Sequence, residues 1–252
     1  MRVFGLIGYP LSHSFSPGYF SQKFSKEGIE DAGYQLFPIE TIDKLTELLS
    51  SNRNICGLNV TIPYKQQVLP FLDEIDENAR LIGAVNTICV LRTSEGLSLK
   101  GYNTDVIGVR DSLKGQEHHK KALILGNGGA SKAVIYTLNQ LGIKYTIVSR
   151  TPKESNQISY EQLSEEIILE NTLIINTTPL GMSPNINDCP PIPYRTIGQN
   201  HFIFDLIYNP EETLLMKKAH QNGAQILNGK LMLYSQAEAS WQLWNKTENN
   251  YL

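Results

Sequence analysis

Two charged residues of this chain, Lys65 and Asp105, could form a proton-transfer pair. Lys65 ends the segment NVTIPYK (59–65), after a turn that a proline fixes, and Asp105 ends GYNTD (101–105). An ammonium and a carboxylate brought together in a cleft can move a proton to or from a substrate. A glycine-rich loop of nucleotide-binding type, LILGNGGAS (123–131), follows in the same chain. A proton-transfer pair and a dinucleotide site together predict redox chemistry between an alcohol and a ketone.

The glycine-rich loop lies between a predicted strand and a predicted helix, which is the context that dinucleotide binding requires. Gly126 would permit the tight turn, and Gly128 would let the backbone approach a pyrophosphate. The helix that begins near Ala130 would direct its free N–H groups at the phosphates. An ordinary glycine-rich turn is the alternative interpretation. The cofactor residues predicted in this loop are Gly126, Asn127, Gly128, Gly129 and Ala130.

The next predicted strand ends in TIVSRTPK, where an NAD site usually carries an acidic residue for the ribose hydroxyls. Ser149, Arg150 and Thr151 occupy this position, and Lys153 is close by. An acidic group would repel a 2′-phosphate, whereas an arginine can bind it and stack on adenine. The sequence therefore favours NADP over NAD, the alternative being that Arg150 is only a solvated loop residue.

Uncharged polar residues follow several predicted strands in the first part of the chain. They are Ser14, Ser16, Asn59, Thr61 and Asn86. Taken singly, each could be a helix cap or a turn residue. So many hydrogen-bonding groups at one edge of a sheet predict a ligand that carries several hydroxyl groups.

Strands and helices alternate along the chain. Among the predicted helices are 16–28 with Ser16 as its cap, 41–51 with Thr41 as its cap, a short helix after Pro63, and the segments 73–83 and 160–170. The N-terminal part reads β-α-β-α-β, which favours an α/β unit with largely parallel strands, and residues 84–103 predict a hairpin. The pattern starts again near residue 105, and residues 231–246 predict a final helix that packs back on the first domain. We therefore expect an α/β protein with a substrate domain, 1–104 joined by 229–252, and a Rossmann-like NADP-binding domain, 105–228.

Composition limits the class of protein. The chain has 252 residues, of which 41% are hydrophobic and 19% charged, and its formal net charge is −3, so nucleic acid is not an expected partner. The three cysteines form no CxxC, and the five histidines show no ligand-like spacing, which predicts reduced thiols, a cytoplasmic location and no metal. The N-terminus does not resemble a signal peptide, and no apolar run has the length of a membrane span.

Eight short segments occur along the chain, and together, in this order, they are specific for one protein family. They are GYPLSHSFSP, NVTIPYK, GAVNT, GYNTD, GNGGAS, NTTPLGM, DLIYNP and NGKLMLYSQA, and they run from residue 8 to residue 237. With these segments the sequence strongly resembles the shikimate dehydrogenase family over nearly the whole chain.

The resemblance implies a reversible, NADPH-dependent reduction of 3-dehydroshikimate to shikimate, a step of chorismate and aromatic amino-acid biosynthesis. It implies that Lys65 is the catalytic lysine and Asp105 its partner. The implied substrate-binding residues are Ser14, Ser16, Thr61, Asn86, Tyr208 and Gln236, to which the position at a strand end adds Asn59. Leu206, Gly229 and Glu77 are implied on the cofactor side, although Glu77 also fits a helix-surface charge.

The chain departs from the family pattern at the cofactor loops. Asn127 stands where the family commonly has alanine, and Ser149 stands where it commonly has asparagine. Lys153 lies near the position of a second arginine, and a lysine lacks the planar fork that grips a phosphate. These changes leave the strictness of NADP preference open.

Two alternative functions remain open from the sequence. One is a quinate/shikimate dehydrogenase that uses NAD, against which Arg150 without an acidic neighbour argues. The other is a non-catalytic NADP-binding regulator on the same scaffold, which would be expected to lack Lys65 or Asp105. The expected partner is a small-molecule substrate, and the expected state is a monomer or a homodimer.

Overall fold

A computed structural model describes residues 1–11, 14–94 and 96–248 of the chain. These residues divide into two compact units, which we call the first and the second unit. The first unit comprises residues 1–104 and the chain from Ala237 onwards, and the second unit comprises Asp105–Gln236. In the sequence, the second unit is therefore an insertion between two parts of the first.

The first unit is built on a sheet with helices. Its strands are β1 (Arg2–Gly8), β2 (Ala32–Pro38), β3 (Ile55–Val60), β4 (Glu74–Ile75), β5 (Thr87–Thr93) and β6 (Gly96–Tyr102), and its helices are α1 (Ser16–Glu27), α2 (Lys44–Ser51) and α3 (Glu77–Ile82). The strand order is β2-β1-β3-β5-β6-β4. Strand β1 pairs in parallel with β2 and β3, whereas β5 pairs antiparallel with β3 and β6. The predicted parallel start and the predicted hairpin are both present.

Strand β1 is buried on both faces, which explains why its sequence is an apolar run rather than an alternation. Because successive side chains point to opposite faces of a strand, β1 serves two clusters. Val3 and Ile7 belong to the cluster beneath α2, and Phe4 belongs to an aromatic cluster with Phe20 and Trp244.

The second unit contains a sheet in which every described pair of strands is parallel. Its elements are α4 (Asp105–Ser112), β7 (Lys121–Leu125), α5 (Gly129–Gln140), β8 (Lys144–Val148), β9 (Gln157–Ile158), α6 (Glu165–Glu170), β10 (Leu173–Asn176), β11 (Phe202–Asp205), α7 (Leu214–Gln221) and β12 (Gln225–Leu227). The last helix, α8 (Lys230–Glu248), begins in the second unit and belongs to the first from Ala237 onwards. The order β12-β11-β10-β7-β8-β9 places later strands on both sides of β7. This is the doubly wound pattern, in which ligands bind where the strand order reverses. The predicted α/β architecture is confirmed.

Several local predictions were wrong. Ser16 does not cap α1: it is the first helical residue, and Phe15 stands at the cap position without a side-chain hydrogen bond. Thr41 does not cap α2 either, since the cap position is Asp43. The short helix predicted after Pro63 is a run of turns followed by a 3-10 helix, Leu69–Phe71.

Two predicted helices are each interrupted by a polar residue that binds the backbone. Between residues 73 and 83, β4 comes first, and α3 begins only after Asp76, whose side chain accepts the Asn78 N–H. Between residues 160 and 170, Ser164 accepts the Ile167 N–H and starts α6 anew. Such caps compete locally with helix continuation, so the periodicity of apolar residues alone did not find the boundaries.

Candidate functional site

The glycine-rich loop follows β7 in the second unit and has room for a ligand against its backbone. Gly126 has φ +103°, and a Cβ there would lie 2.8 Å from the Thr178 Cγ2 atom and 2.9 Å from the Thr177 Oγ1 atom. Only glycine fits this turn. At Gly128 and Gly129 an added Cβ would meet no atom within 4 Å, so the backbone is open in front of α5. The loop has the features that pyrophosphate binding requires.

The start of α5 is fixed by a serine. Gly128 is the N-cap residue, and the buried Ser131 hydroxyl donates a hydrogen bond to the Gly128 carbonyl at 2.6 Å. A third glycine in this position could not make that bond. Ser131 therefore supplies the small residue that the loop needs and also rigidifies the turn. Asn127 and Ala130, also predicted here, are exposed and half-buried respectively.

The chain after β8 carries the predicted 2′-phosphate residues. Residues 149–153 contain no acidic side chain. The buried Ser149 hydroxyl accepts the Thr151 N–H at 3.2 Å, which shapes the turn, and Arg150 is exposed. Burial raises the pKa of the Tyr160 phenol, and the nearby Arg150 guanidinium opposes this. An exposed guanidinium in a segment without acidic residues from 149 to 153 suits a phosphate.

Gln157 connects the two predicted cofactor loops. Its side chain is buried, and its Oε1 atom accepts hydrogen bonds from the Asn127 side chain at 3.4 Å and from the Lys153 N–H at 3.1 Å. Asn127 and Lys153 are two of the positions at which the sequence departs from the family pattern. Sequence reasoning missed Gln157, because nothing in the sequence near it indicates a partner so far along the chain.

The loops after β10 and β11 meet at a buried carboxylate. Asp205, which ends β11, is fully buried and accepts hydrogen bonds from the Asn176 amide, the Ile207 N–H and the Thr213 hydroxyl. The motifs NTTPLGM and DLIYNP mark both loops in the sequence, but they did not show that Asp205 joins them.

Gly229 and Leu206, predicted on the cofactor side, touch each other through the backbone. A Cβ at Gly229 would overlap the Leu206 carbonyl, and the Gly229 N–H donates to the Ile207 carbonyl at 3.0 Å. Glycine is required here because the two backbones are in direct contact. The residues present in the second unit therefore fit an NADP group: an open glycine turn, and an arginine in a segment without acidic residues from 149 to 153.

The first unit contains a buried polar cluster around two of the predicted substrate residues. The cluster consists of Asn59, Asn86, Thr87, Thr104 and Ser240, all buried. The hydroxyls of Thr87, Thr104 and Ser240 lie 2.8 to 3.1 Å from one another. Sequence reasoning found the two asparagines but missed the three hydroxyl residues, one of which comes from α8.

Asn86 is held by its oxygen. Its Oδ1 atom accepts the Thr104 N–H at 2.7 Å and the hydroxyls of Thr104 and Thr87 at 3.1 Å. A backbone N–H can only donate, so the end of the carboxamide that faces Thr104 is the oxygen. Any contact of Asn86 with a ligand is therefore made by its amide nitrogen, as a donor.

Asn59 is engaged within the unit at both ends of its side chain. Its Oδ1 atom accepts the Tyr34 hydroxyl at 2.8 Å, and its Nδ2 atom donates to Ser240 at 3.0 Å and to Thr87 at 3.2 Å. Burial raises the pKa of the Tyr34 phenol, and a hydrogen bond with Ser16 opposes this. These contacts favour a supporting role for Asn59 over a direct substrate contact.

Lys65 and Asp105, the predicted catalytic pair, belong to different units. Lys65 is half-buried in the turn after β3, and its carbonyl accepts the Val85 N–H at 2.8 Å. Its neighbour Tyr64 is buried and donates its hydroxyl to the Ile39 carbonyl at 2.7 Å, which anchors the turn. Asp105 is buried and begins α4. Their pairing stays a prediction.

The remaining predicted residues differ in how far they are exposed. Ser14, Ser16, Thr61, Tyr208 and Gln236 are all half-buried. Burial raises the pKa of the Tyr208 phenol, and the Gln236 amide donates to the Leu233 carbonyl at 2.9 Å. By contrast, Glu77 is 79% exposed at the side chain and lies 3.8 Å from Arg80. That environment is typical of a surface ion pair, and nothing else marks Glu77 as a cofactor residue.

The described residues contain neither a metal-ligating cluster nor a helix able to span a membrane. No cluster of three or more His, Cys, Asp or Glu side chains there could hold a metal ion. No helix within the described ranges combines the length and apolar character that a membrane crossing demands.

A parallel doubly wound unit with an open glycine loop, joined to a unit with a buried polar cluster, defines a two-domain dinucleotide-binding oxidoreductase. Comparison with known proteins agrees. Residues 6–88 match the family model described as the shikimate dehydrogenase substrate binding domain. A curated relative, the shikimate dehydrogenase (NADP(+)) of Methanosphaera stadtmanae, is 37% identical and covers 99% of this chain and 93% of its own length. The chain belongs to the shikimate dehydrogenase family, as the sequence predicted.

Solved structures share the fold. A chorismate mutase/shikimate 5-dehydrogenase fusion protein from Clostridium acetobutylicum is 40% identical with a TM-score of 0.85, over 98% of this chain and 91% of that one. A quinate dehydrogenase from Corynebacterium glutamicum in complex with NAD is 28% identical with a TM-score of 0.83, over 96% of this chain and 93% of that one. Proteins of this fold therefore include dehydrogenases of shikimate and of quinate, and users of NADP and of NAD. The fold alone does not determine the substrate or the cofactor, so residues at the site must do so.

Proposed function

We infer that the protein is an NADP-dependent shikimate dehydrogenase, which catalyses the reversible reduction of 3-dehydroshikimate to shikimate. The observation that carries this inference is the chain after β8, which presents Arg150 with no acidic residue from 149 to 153 beside an open glycine loop. An NAD site would place a carboxylate there. Membership of the family supplies the reaction.

We propose that Lys65 is the acid–base group. When bound, NADPH supplies the hydride for the carbonyl carbon, and negative charge develops on the carbonyl oxygen. An ammonium at Lys65 donates a proton to that oxygen, and in the oxidative direction the amine accepts it back. Asp105 orients the lysine and the substrate hydroxyl.

The proposed substrate residues bind a polyhydroxylated carboxylic acid through neutral groups. The hydroxyls of Ser14, Ser16 and Tyr208 suit its carboxylate, because hydroxyl groups can donate to it. Asn86 donates from its amide nitrogen to a substrate oxygen, since its own oxygen is occupied by Thr87 and Thr104. Thr61 and Gln236 complete the proposed set.

The test is the absorbance of the reduced nicotinamide with purified protein, shikimate and NADP. We expect turnover by the native chain and its collapse in Lys65→Met, by at least about 100-fold, because general acid–base groups contribute roughly 10²–10⁴. NADPH binding by Lys65→Met should persist. Lys120→Met, which alters an exposed lysine before β7, is the matched control and should keep its activity. Near-native turnover in Lys65→Met would reject the assignment.

The same assay separates the alternatives. Quinate oxidation with NAD at a rate equal to or above shikimate oxidation with NADP would favour the quinate/shikimate dehydrogenase. A flat trace from folded protein that still binds NADPH would favour a non-catalytic regulator. We further propose that the protein is cytoplasmic and is a monomer or a homodimer. Light scattering distinguishes the monomer from the dimer.

A further inference from the structure

The second unit buries a carboxylate that the reaction does not use. Asp205 is fully buried at the end of β11, and no lysine, arginine or histidine of the described residues pairs with it. Burying a charge without a counter-charge costs several kcal/mol unless hydrogen bonds offset it. Such a group is expected where its directional bonds serve a purpose that an apolar residue could not serve.

The Oδ1 atom of Asp205 holds the loops after β10 and β11, and β10 is the neighbour of β7, which the glycine turn follows. It accepts the Asn176 side-chain amide at 3.0 Å and the Ile207 N–H at 3.1 Å. The oxygen of the same Asn176 amide accepts the Thr178 N–H at 3.0 Å and the Thr178 hydroxyl at 2.7 Å. Thr178 is the residue that an added Cβ at Gly126 would touch. The chain of contacts therefore runs from Asp205 to the wall of the glycine turn.

On its other side, Oδ1 fixes the loop after β11. Ile207, held through its N–H, is followed by Tyr208 and receives at its carbonyl the N–H of Gly229. The residue before Ile207 is Leu206, and its backbone lies directly against Gly229. One oxygen atom thus sets the separation of the β10 and β11 loops, at the edge of the sheet where a doubly wound fold binds its ligand.

The Oδ2 atom of Asp205 binds a helix instead of the two loops. It accepts the Thr213 hydroxyl at 2.7 Å, and the Thr213 oxygen accepts the Met216 N–H at 3.3 Å. Thr213 is the N-cap residue of α7. This arm ties a helix to the sheet but reaches none of the predicted cofactor residues, so it provides an internal control.

We propose that Asp205 is a positioning residue for the dinucleotide, acting through its Oδ1 atom on the loops after β10 and β11. This inference rests on the proposed function for the identity of the ligand. Removal of the carboxylate leaves the Asn176 amide and the Ile207 N–H without an acceptor, and the two loops lose their common anchor. Asparagine at this position can accept both bonds through its own oxygen and donate to Thr213, so it retains the geometry without the charge.

The experiment is a titration of NADPH fluorescence, together with KM values for both ligands, on four variants. Asp205→Ala and Asn176→Ala should weaken NADPH binding about tenfold, which corresponds to about 1.4 kcal/mol. Asp205→Asn should stay within about threefold of the native chain. Thr213→Val should lower the unfolding midpoint and leave NADPH affinity unchanged. The KM for shikimate should rise less than the KM for NADPH, because Tyr208 is the one proposed substrate residue on these two loops.

Three outcomes would overturn the proposal. They are unchanged NADPH affinity in folded Asp205→Ala, equal loss of affinity in Thr213→Val, and no recovery in Asp205→Asn. If Asp205→Ala does not fold, Asn176→Ala decides, because it interrupts the same arm and keeps the carboxylate. NADPH binding is measured without shikimate, so a native chain that binds NADPH but does not oxidise shikimate would reject the proposed function and leave this test standing.

Discussion

Asp205 also couples the stability of the protein to pH. Burial is the largest effect on this carboxyl and raises its pKa to about 6, against hydrogen bonds from Thr213, Ile207 and Asn176 that lower it. Because the folded-state pKa lies above the unfolded value of about 3.9, its stabilising contribution is complete below pH 4 and is lost as the pH rises through 6. The group therefore favours the folded state in mild acid.

This linkage gives a measurable difference from Asp205→Asn, which does not titrate. Between pH 4 and pH 7 the free energy of unfolding of the native chain should fall relative to the variant, by about 3 kcal/mol for a shift of roughly two pKa units. Urea unfolding at several pH values measures both proteins. Parallel curves across this range would show that the carboxyl is not perturbed in the folded state.

Gln157 supports a prediction about the cofactor loops. Gln157→Leu should weaken NADPH binding about two- to fivefold, since one side-chain hydrogen bond contributes about 0.5 to 1 kcal/mol. If the effect runs through Asn127, then Asn127→Ala in the Gln157→Leu background should add nothing. NADPH titration of both single variants and the double variant measures the coupling. Gln162→Leu is the control, because its Oε1 atom instead accepts the Ser159 N–H in a capping turn. Additive losses would contradict a direct link.

At the residue scale, sequence reasoning found the groups that chemistry requires and missed those that hold them. Lys65, Asp105 and Asn86 stand in recognisable motifs. Ser240 lies in none of the motifs, and Thr87 lies in GAVNT without having been singled out, because a buried hydroxyl has meaning only through partners far away in the chain. Asp205 stood inside a motif, yet the motif did not show that it is buried, which raises its pKa, or that it binds Asn176 and Thr213.

Among the elements, the part of α8 that belongs to the first unit depends for its packing on Gly57 in β3. A Cβ at Gly57 would overlap the indole of Trp244, which is buried and donates its Nε1 hydrogen to the Ile88 carbonyl at 3.0 Å. Trp244 also stacks on Phe4, with ring centroids 4.8 Å apart. The glycine is therefore a space requirement of the helix that packs over it.

Gly57→Ala should accordingly destabilise the first unit by about 1–3 kcal/mol, as overpacking does. Urea unfolding followed by tryptophan fluorescence measures this, because Trp244 is one of only two tryptophans. Gly18→Ala is the matched control: it lies in α1, where an added Cβ meets no atom within 4 Å, and should stabilise slightly. Equal stability of native chain and Gly57→Ala would contradict the packing argument.

The elements themselves were largely predictable, because apolar periodicity and turn residues are local signals. The second unit illustrates this, since its β-α alternation is regular from β7 to β12. The boundaries near Asp76 and Ser164 were not found, because a capping side chain can end or restart a helix within an unbroken apolar pattern. The two-residue strands β4 and β9 were also missed, since so short a pairing is determined by the neighbouring strand.

At the scale of the whole molecule, ligand binding should protect the units unequally. NADPH alone should slow hydrogen exchange of the glycine loop and the chain after β8, because most of the proposed cofactor residues lie there. Leu206 and Gly229 lie elsewhere in the second unit, and Glu77 lies in the first. The polar cluster of the first unit should change little. Hydrogen exchange with and without NADPH, detected by mass spectrometry of peptides from residues 1–104 and 105–236, measures the slowing in each unit. Uniform slowing in both sets would indicate global stabilisation and contradict a cofactor site confined to the second unit.

The insertion of the second unit within the first has a consequence for biosynthesis. The ribosome makes residues 1–104 before residues 105–236, but Trp244, the partner of Phe4 in the aromatic cluster, is made only after both. Domains made early usually fold early. Here the inserted unit can fold while residues 1–104 still expose Phe4 and Phe20. Loss of the chain from Trp241 onwards would therefore leave an apolar face uncovered on residues 1–104 and render the protein prone to aggregation.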